Sequence, residues 1–226
     1  MKQVRAEAQA TPTHLVISLD AKATIPLGEF SRRGSSRTQV KAFDHDFQPN
    51  ATVTPFGLFL PLYDELHLTL TPSKVSSDFI VDTLETFWTA HKARFAEVDT
   101  LVLLLDNGPE NQSRRTQFMA RLVAFAHTHQ KTVKLAYYPP YHSKYNPIER
   151  VWGVLEMHWN GALLDQLETV VRYAESMTYR GVHPVVRVVS EIYEAGVRLS
   201  RKAMAALETQ FHRLPGLELY FVTIPP

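Results

Sequence analysis

The chain contains no cysteine. Disulfide bonds and thiolate metal sites are therefore excluded, and any metal site must use oxygen or imidazole ligands. The sequence also lacks an apolar run approaching the roughly 18 residues that a membrane-spanning helix needs, and it lacks a signal peptide with a charged start and an apolar core. We therefore expect no membrane association, and a cytoplasmic location is the default expectation.

The charges of the chain are nearly balanced, with a formal net charge of +1 over 226 residues. The molecule as a whole is therefore not a basic nucleic-acid binder, although local clusters of basic residues still matter for phosphate contacts. Hydrophobic residues make up 45% and charged residues 21%, which is typical of a globular protein. This length predicts one large domain or a domain with an extension.

The clearest strand signal is the aliphatic run at residues 101–105. It is too short for an independent helix and it does not alternate with polar residues, which favours a central strand buried on both faces. Gly108 and Pro109 end the run, so Asp106 and Asn107 should lie at the carboxyl end of the strand. Open α/β sheets place their chemistry there. The alternative is that Asp106 only begins a turn.

The periodicity of the remaining chain predicts an α/β fold. Extended segments precede the aliphatic run, and helical and extended segments alternate around and after it, in the order β-β-β-α-β-α-β-α. This order predicts a mixed sheet, a three-strand meander followed by alternating helices and strands, with helices on its faces. The predicted strands are residues 14–20, 38–43, 52–60 with residues 65–70 as its continuation after Pro61, 101–105 and 132–137, and the helices begin at a Ser77 cap, at Ser113 and at Asn146.

The ends of the chain are predicted to differ from this central domain. Residues 1–13 are polar and predict a flexible lead-in, and residues 14–160 form the α/β domain. Residues 161–226 predict a helical extension. Its candidate helices are residues 163–177, 185–198 and 200–213, and residues 219–223 either pair as an edge strand or stay loose.

Three carboxylates are candidates for one site. Asp20 and Asp106 each end an apolar strand, and Glu149 lies in the first turn of a predicted helix. Two carboxylates about 4 Å apart repel by roughly 4 kcal/mol at an effective dielectric near 20, so such a cluster needs protons or divalent cations. Oxygen ligands favour Mg²⁺ or Mn²⁺, and two such ions support phosphodiester chemistry. The alternatives are that Asp20 is a turn residue and that Glu149 completes a capping box with Asn146.

Two stretches carry a resemblance to a known family. Residues 101–111, LVLLLDNGPEN, and residues 137–152, YYPPYHSKYNPIERVW, together resemble the catalytic core of DDE-superfamily transposases of bacterial insertion sequences. These enzymes are related to mariner-type transposases and to retroviral integrases. Residues 17–22, ISLDAK, resemble the strand that bears the first aspartate of the family.

The resemblance implies an RNase H-like catalytic domain at residues 14–160. It also implies cleavage of transposon ends, dependent on Mg²⁺ or Mn²⁺, and strand transfer into target DNA. Asp20, Asp106 and Glu149 would then be both the catalytic and the metal-binding residues. The implied partners are transposon-end and target DNA, bound by a homodimer or a larger assembly in the bacterial nucleoid.

Basic and aromatic residues near the three carboxylates are candidate DNA contacts. Basic side chains and helix amino ends attract phosphate, and tyrosine rings stack on bases. For each basic residue taken singly, a solvated surface position is the alternative. The candidates are Arg32, Arg33, Arg37, Arg114, Arg115, Tyr141, His142 and Lys144, with Tyr138 as a further stacking residue. The Asp44-His45-Asp46 segment also has ligand-type residues, but we expect a turn there.

Only about a dozen residues precede the first predicted strand, too few for a helix-turn-helix domain that recognises DNA ends. We therefore expect a catalytic domain alone, a fragment or a degenerate copy. Two alternatives to an active transposase stay open. One is a non-catalytic DNA-binding or assembly remnant, and the other is a nuclease of the same fold.

Overall fold

The computed structural model describes residues 2–29, 51–139 and 145–226, with side chains from residue 6 onward. The predicted strand at residues 38–43 and the Asp44-His45-Asp46 segment lie outside these described residues. No helix in the described ranges is long and apolar enough to cross a membrane.

Helices and strands alternate along most of the described chain. The helices are α1 (Lys2–Ala10), α2 (Ser77–His91), α3 (Thr116–His129), α4 (Ile148–His158), α5 (Leu167–Ser176) and α6 (Arg201–Glu208). The strands are β1 (His14–Ala21), β2 (Ile25–Leu27), β3 (Ala51–Leu60), β4 (Glu65–Thr71), β5 (Thr100–Leu105), β6 (Thr132–Tyr137), β7 (Val185–Val188), β8 (His212–Arg213) and β9 (Phe221–Ile224).

The described strands form one mixed sheet in the order β7-β4-β3-β1-β5-β6-β9-β8, with β2 paired to β3. β3 is antiparallel to both β1 and β4, so these three strands form a meander, whereas the part of the predicted meander at residues 38–43 lies outside the described residues. β5 is parallel to both β1 and β6. The predicted mixed sheet, with a meander followed by alternating helices and strands, is therefore confirmed.

β5 lies at the centre of the sheet because both of its faces are apolar. All six of its residues are buried. Leu101, Leu103 and Leu105 pack in the core cluster that includes α2 and α3, whereas Val102 and Leu104 pack in a separate cluster on the other face. The continuous aliphatic run thus corresponds to a strand covered on both sides, as predicted.

Two helix starts differ slightly from their predicted positions. The N-cap of α2 is Ser76 rather than Ser77, and its side chain accepts a hydrogen bond from the Phe79 N–H. α3 begins at Thr116 and not near Ser113. The Ser113 hydroxyl instead donates to the Leu219 carbonyl, so it links the loop before α3 to the C-terminal strands.

The predictions for both ends of the chain were wrong in part. Residues 2–10 form α1, whose Ala8 packs on the sheet beside Val16, instead of a flexible lead-in. The segment 161–226 is not uniformly helical, because it adds β7 beside β4 and β9 beside β6. β7 replaces the helix predicted at residues 185–198, since its β-branched valines favour pairing with the open edge of β4. Of the two alternatives for residues 219–223, the paired one is correct, although β9 lies between β6 and β8 and not at the edge of the sheet.

Gly57 of β3 allows α4 to lie very close to the sheet. A Cβ atom at this position would lie 2.6 Å from Ile148 Cδ1 and 2.8 Å from Trp152 Cη2. Both contacts come from α4, so any side chain at Gly57 would push the amino-terminal half of this helix away from β3. Gly57 is also the residue paired with Asp20 of β1.

We predict that Gly57→Ala lowers the free energy of unfolding by about 1–3 kcal/mol, because overpacking forces α4 to shift. Gly153→Ala is a matched control in the same helix, since a Cβ atom there meets nothing within 4 Å. This control should stabilise the chain by up to about 1 kcal/mol through helix propensity. Urea unfolding measures both changes, and equal stability of the two variants would contradict the close packing.

Candidate active site

The three predicted carboxylates line one cleft. β1 and β5 are adjacent and parallel, so Asp20 near the end of β1 and Asp106 just after β5 lie at the same edge of the sheet. Glu149 enters from the first turn of α4. Together with Lys22 and Trp152 they line a cleft of about 350 Å³. The fold therefore brings together residues that are far apart in the sequence.

The three carboxylates interact electrostatically. The negative charge of Asp106 contributes to raising the pKa of both Asp20 and Glu149.

Asp20 is half-buried near the end of β1. Burial raises its pKa from 3.8 to about 7, and the nearby charges of Asp106 and Glu149 act in the same direction. The Trp152 indole Nε1–H opposes this rise by donating to Asp20 Oδ2 over 2.8 Å. Trp152 thus orients the carboxylate and stabilises its charged form.

Asp106 is held by the turn that follows β5. Asn107 has a left-handed φ of 66°, which reverses the chain directly after the aspartate. The Gly108 N–H and the Asn111 side-chain amide both donate to Asp106 Oδ1, over 3.1 and 2.8 Å. Since both bonds reach the same oxygen, Oδ2 takes no part in them. Asp106 therefore begins the turn and also lines the cleft, two roles that the sequence presented as alternatives.

The turn itself is anchored to the next strand. The hydroxyl of Tyr137, a fully buried residue at the end of β6, donates to the Asn111 carbonyl over 2.7 Å. Asn111 thus connects Asp106 to β6 through its side chain and its backbone. This connection fixes the position of the aspartate relative to two neighbouring strands.

Glu149 is positioned by a buried network between α4 and β1. Ser18 donates to Asn146 Oδ1, the Ile148 N–H donates to Ser18 Oγ over 3.2 Å, and the Asn146 amide donates to the Leu19 carbonyl over 3.4 Å. The N-cap is Pro147, which makes no side-chain capping bond. The capping box between Asn146 and Glu149 was therefore the wrong alternative, because the Asn146 side chain is bound to β1.

Lys22 brings positive charge to the cleft. Burial raises the pKa of Glu149, and Asp106 raises it further, whereas the charge of Lys22 lowers it. The Lys22 ammonium also forms an ion pair with Glu156 on the next turns of α4, at 2.8 Å. Lys22 therefore reduces the repulsion among the three carboxylates without neutralising it.

The predicted DNA-contact residues differ in how far they are exposed to solvent. Arg114 is exposed in the loop before α3. Arg115 forms an ion pair with Glu110 at 3.0 Å, and its side chain is only 11% exposed. Tyr138 is buried beside Ala8, so its predicted stacking on a base was wrong. Arg32, Arg33, Arg37, Tyr141, His142 and Lys144 lie outside the described residues.

The residue pattern predicted no role in the site for Trp152, Asn111 or Gly57. The spacing of Glu149 and Trp152 could have identified the tryptophan, because residues i and i+3 lie on the same face of a helix. No sequence pattern indicates that Asn111 reaches back to Asp106, or that Gly57 lies beneath α4.

One solved transposase structure shares the overall fold of this chain. The chain is similar to the Mos1 transposase in its paired-end complex with the left transposon end, with a TM-score of 0.52, 14% identity, and coverage of 76% of this chain and 50% of that one. The Mos1 mariner paired-end complex with Mn gives a TM-score of 0.48 at 13% identity, covering 75% of this chain and 49% of that one. The chain thus spans about half the length of these transposases.

The comparison confirms the RNase H-like fold predicted from the sequence. None of the curated proteins is significantly similar to the chain. The sequence model described as the Rhodopirellula transposase DDE domain matches residues 1–226, the entire length of the chain. The resemblance noted in the sequence is thereby confirmed, and the chain belongs to this family of transposase DDE domains.

Proposed function

We propose that this chain is the catalytic core of a DNA transposase that cleaves transposon ends and joins them to target DNA. Asp20, Asp106 and Glu149 are the proposed catalytic and metal-binding residues. The observation that carries the proposal is the cleft itself, where three distant segments of a transposase DDE domain each contribute one carboxylate.

The donor set of the cleft suits Mg²⁺ or Mn²⁺. Its ligand-type side chains are carboxylates, which hard divalent cations prefer. The raised pKa values of Asp20 and Glu149 indicate that negative charge is poorly solvated in the cleft. Divalent cations held by the three residues would offset this charge, and when bound they would activate an attacking oxygen and stabilise the leaving oxygen of a phosphodiester.

The chain's own residues hold the carboxylates in place for this chemistry. Trp152 holds one oxygen of Asp20, and the turn after β5 holds one oxygen of Asp106. α4 carries both Glu149 and Trp152, so the position of this helix determines where both side chains lie in the cleft. Such prior orientation reduces the reorganisation that the reaction requires.

A larger groove beside the cleft is suited to a DNA backbone. The groove has a volume of about 1010 Å³ and shares Ala21, Lys22 and Ala23 with the carboxylate cleft. Lys74 and the hydroxyl residues Thr52 and Ser73 also line it. Lysines and hydroxyls are common phosphate contacts. We infer that one DNA strand lies in this groove while its scissile phosphate reaches the carboxylates. Since two transposon ends must be joined, the proposal includes a dimer or larger assembly on DNA.

The direct test is a DNA-joining assay with Mg²⁺ or Mn²⁺. The substrates are a duplex taken from the inverted repeats that flank the coding region, with the transferred strand labelled at its 5′ end so that the label stays on the strand whose 3′ hydroxyl is joined, and a supercoiled plasmid as target. We expect labelled plasmid from the wild-type chain and at least a hundredfold less from Asp106→Asn. Glu97→Gln, an exposed carboxylate away from the cleft, is the control and should join DNA normally.

The products of this assay separate the alternatives. Cleaved duplex or nicked plasmid without joined product would identify a nuclease of the same fold. DNA binding without cleavage or joining would identify a non-catalytic remnant. Either result would overturn the proposed strand transfer.

We also predict that Mg²⁺ or Mn²⁺ stabilises the folded chain. Binding to the folded state alone adds about 2.7 kcal/mol at 100 times the dissociation constant. Asp106→Asn should remove most of this gain, and Glu97→Gln should retain it. Thermal unfolding with and without millimolar cation measures the effect. An equal shift in the wild type and in Asp106→Asn would place cation binding outside the cleft.

The pKa of Asp20 predicts how stability depends on pH without divalent cations. Between about pH 4 and pH 7 the folded chain keeps a proton that the unfolded chain releases, because burial raises this pKa to about 7. The contribution of Asp20 to stability therefore falls as pH rises through this window, by up to about 1.4 kcal/mol per pH unit.

The matched variant is Asp20→Asn, which cannot ionise. Its unfolding free energy in EDTA should fall less than that of the wild type between pH 5 and pH 7.5. The comparison of the two chains is needed because burial lowers the pKa of His67, which acts in the opposite direction. Parallel pH profiles for the two chains, measured by urea unfolding, would show that Asp20 ionises normally.

A further inference from the structure

We propose that Glu65, His67 and His91 form a second cation site, suited to Zn²⁺ and separate from the carboxylate cleft. Each of the three residues offers one ligand atom, and these atoms all lie within 4.8 Å of one another. Glu65 and His67 begin β4, and His91 ends α2. A cation held by these residues would connect the start of a strand to the end of the helix that packs on it.

This site lies on the opposite face of the sheet from the carboxylate cleft. The His67 ring packs edge-on against Phe87 and His91 of α2, with ring centroids 4.8 and 4.7 Å away. Asp20, in contrast, bonds to Trp152 of α4. The two helices belong to different core clusters, so the two sites do not share ligands.

The hydrogen bonding of His91 prepares it as a ligand. Its Nδ1 lies 2.8 Å from the Phe87 carbonyl oxygen. A carbonyl only accepts hydrogen bonds, so Nδ1 carries the proton and Nε2 of the neutral ring keeps its lone pair. Metal-binding histidines commonly make such a bond from their other nitrogen, which fixes the ring orientation. The ring also stacks on Phe87, at an angle of 19°.

Glu65 and His67 are already in contact. Glu65 Oε1 lies 2.7 Å from His67 Nε2, and the two side chains are 16% and 11% exposed. Zinc bonds of about 2.0–2.1 Å in tetrahedral geometry place neighbouring ligand atoms about 3.3 Å apart. The cation therefore fits between Glu65 Oε1 and His67 Nε2 when these two atoms move slightly apart and the ring proton of His67 is carried by Nδ1.

The types of side chain in this site determine which metal ion it prefers. Two imidazoles with one carboxylate favour Zn²⁺ over Mg²⁺, and three protein ligands leave a position for water. This preference differs from that of the oxygen-only carboxylate cleft. The two sites can therefore be distinguished by the cation that each one prefers.

The Arg94 guanidinium already binds Glu65 and would compete with a metal ion for this carboxylate. Its Nη1 lies 3.0 and 2.7 Å from the two Glu65 oxygens, and its side chain is 43% exposed. The guanidinium also lies over the rings of Tyr63 and Phe95. Arg94 can release Glu65 and keep these ring contacts. We therefore expect Zn²⁺ and Arg94 to compete for Glu65.

The test is calorimetric titration of the full chain with Zn²⁺, with millimolar Mg²⁺ in every sample to compete for sites made of oxygen ligands alone. We expect one Zn²⁺ per wild-type chain. His91→Gln should weaken binding at least tenfold, whereas Arg94→Gln should strengthen it because the competitor is removed. His127→Gln, an exposed histidine in the last turn of α3, is the control and should bind as the wild type does.

Circular dichroism at the titration temperature shows whether each variant is folded. Glu65→Gln provides a second ligand variant if His91→Gln unfolds, and it should also weaken binding at least tenfold. Unchanged Zn²⁺ affinity in a folded ligand variant, or weaker binding in Arg94→Gln, would overturn the site. The readout is independent of DNA joining, so its result does not depend on the proposed function.

Discussion

The candidate active site depends on a buried hydrogen-bond network between β1 and the start of α4. Ser18 is fully buried and Asn146 is 1% exposed, so their polar groups have no access to solvent. Ser18 donates to Asn146 and accepts from the Ile148 N–H, which fixes the first turn of the helix on the strand. An unpaired buried polar group costs about 1–3 kcal/mol, so this network specifies one position of α4. Asp20 follows Ser18 by two positions and Glu149 follows Ile148 by one, so the same bonds set the relative placement of the two carboxylates.

The close approach of α4 has an electrostatic cost. Trp152 reaches Asp20 because Gly57 has no side chain beneath the helix. The same approach buries Asp20 near two other carboxylates, which raises its pKa to about 7. The site therefore concentrates negative charge that protein groups neutralise only in part, through Lys22 and Trp152. Divalent cations held by the three carboxylates would reduce this repulsion.

The sequence predicted the central sheet and the family because these features leave local signals. The uninterrupted aliphatic run of β5 indicates burial on both faces, and the motif around Glu149 is long enough to identify a family. The C-terminal strands left a weaker signal, since β7 is only four residues long and depends on pairing with β4. The roles of Gly57 and Asn111 depend on contacts between distant segments, which no local pattern records. The Glu65, His67 and His91 cluster was missed for the same reason.

The central claim is that Asp20, Asp106 and Glu149 hold divalent cations together in one cleft. The most direct measurement is anomalous diffraction from crystals of the chain soaked in Mn²⁺. The account predicts manganese peaks in the cleft within coordination distance, about 2.0–2.3 Å, of oxygens from all three carboxylates. Manganese bound elsewhere, with the cleft carboxylates contacting no ion at saturating Mn²⁺, would contradict it.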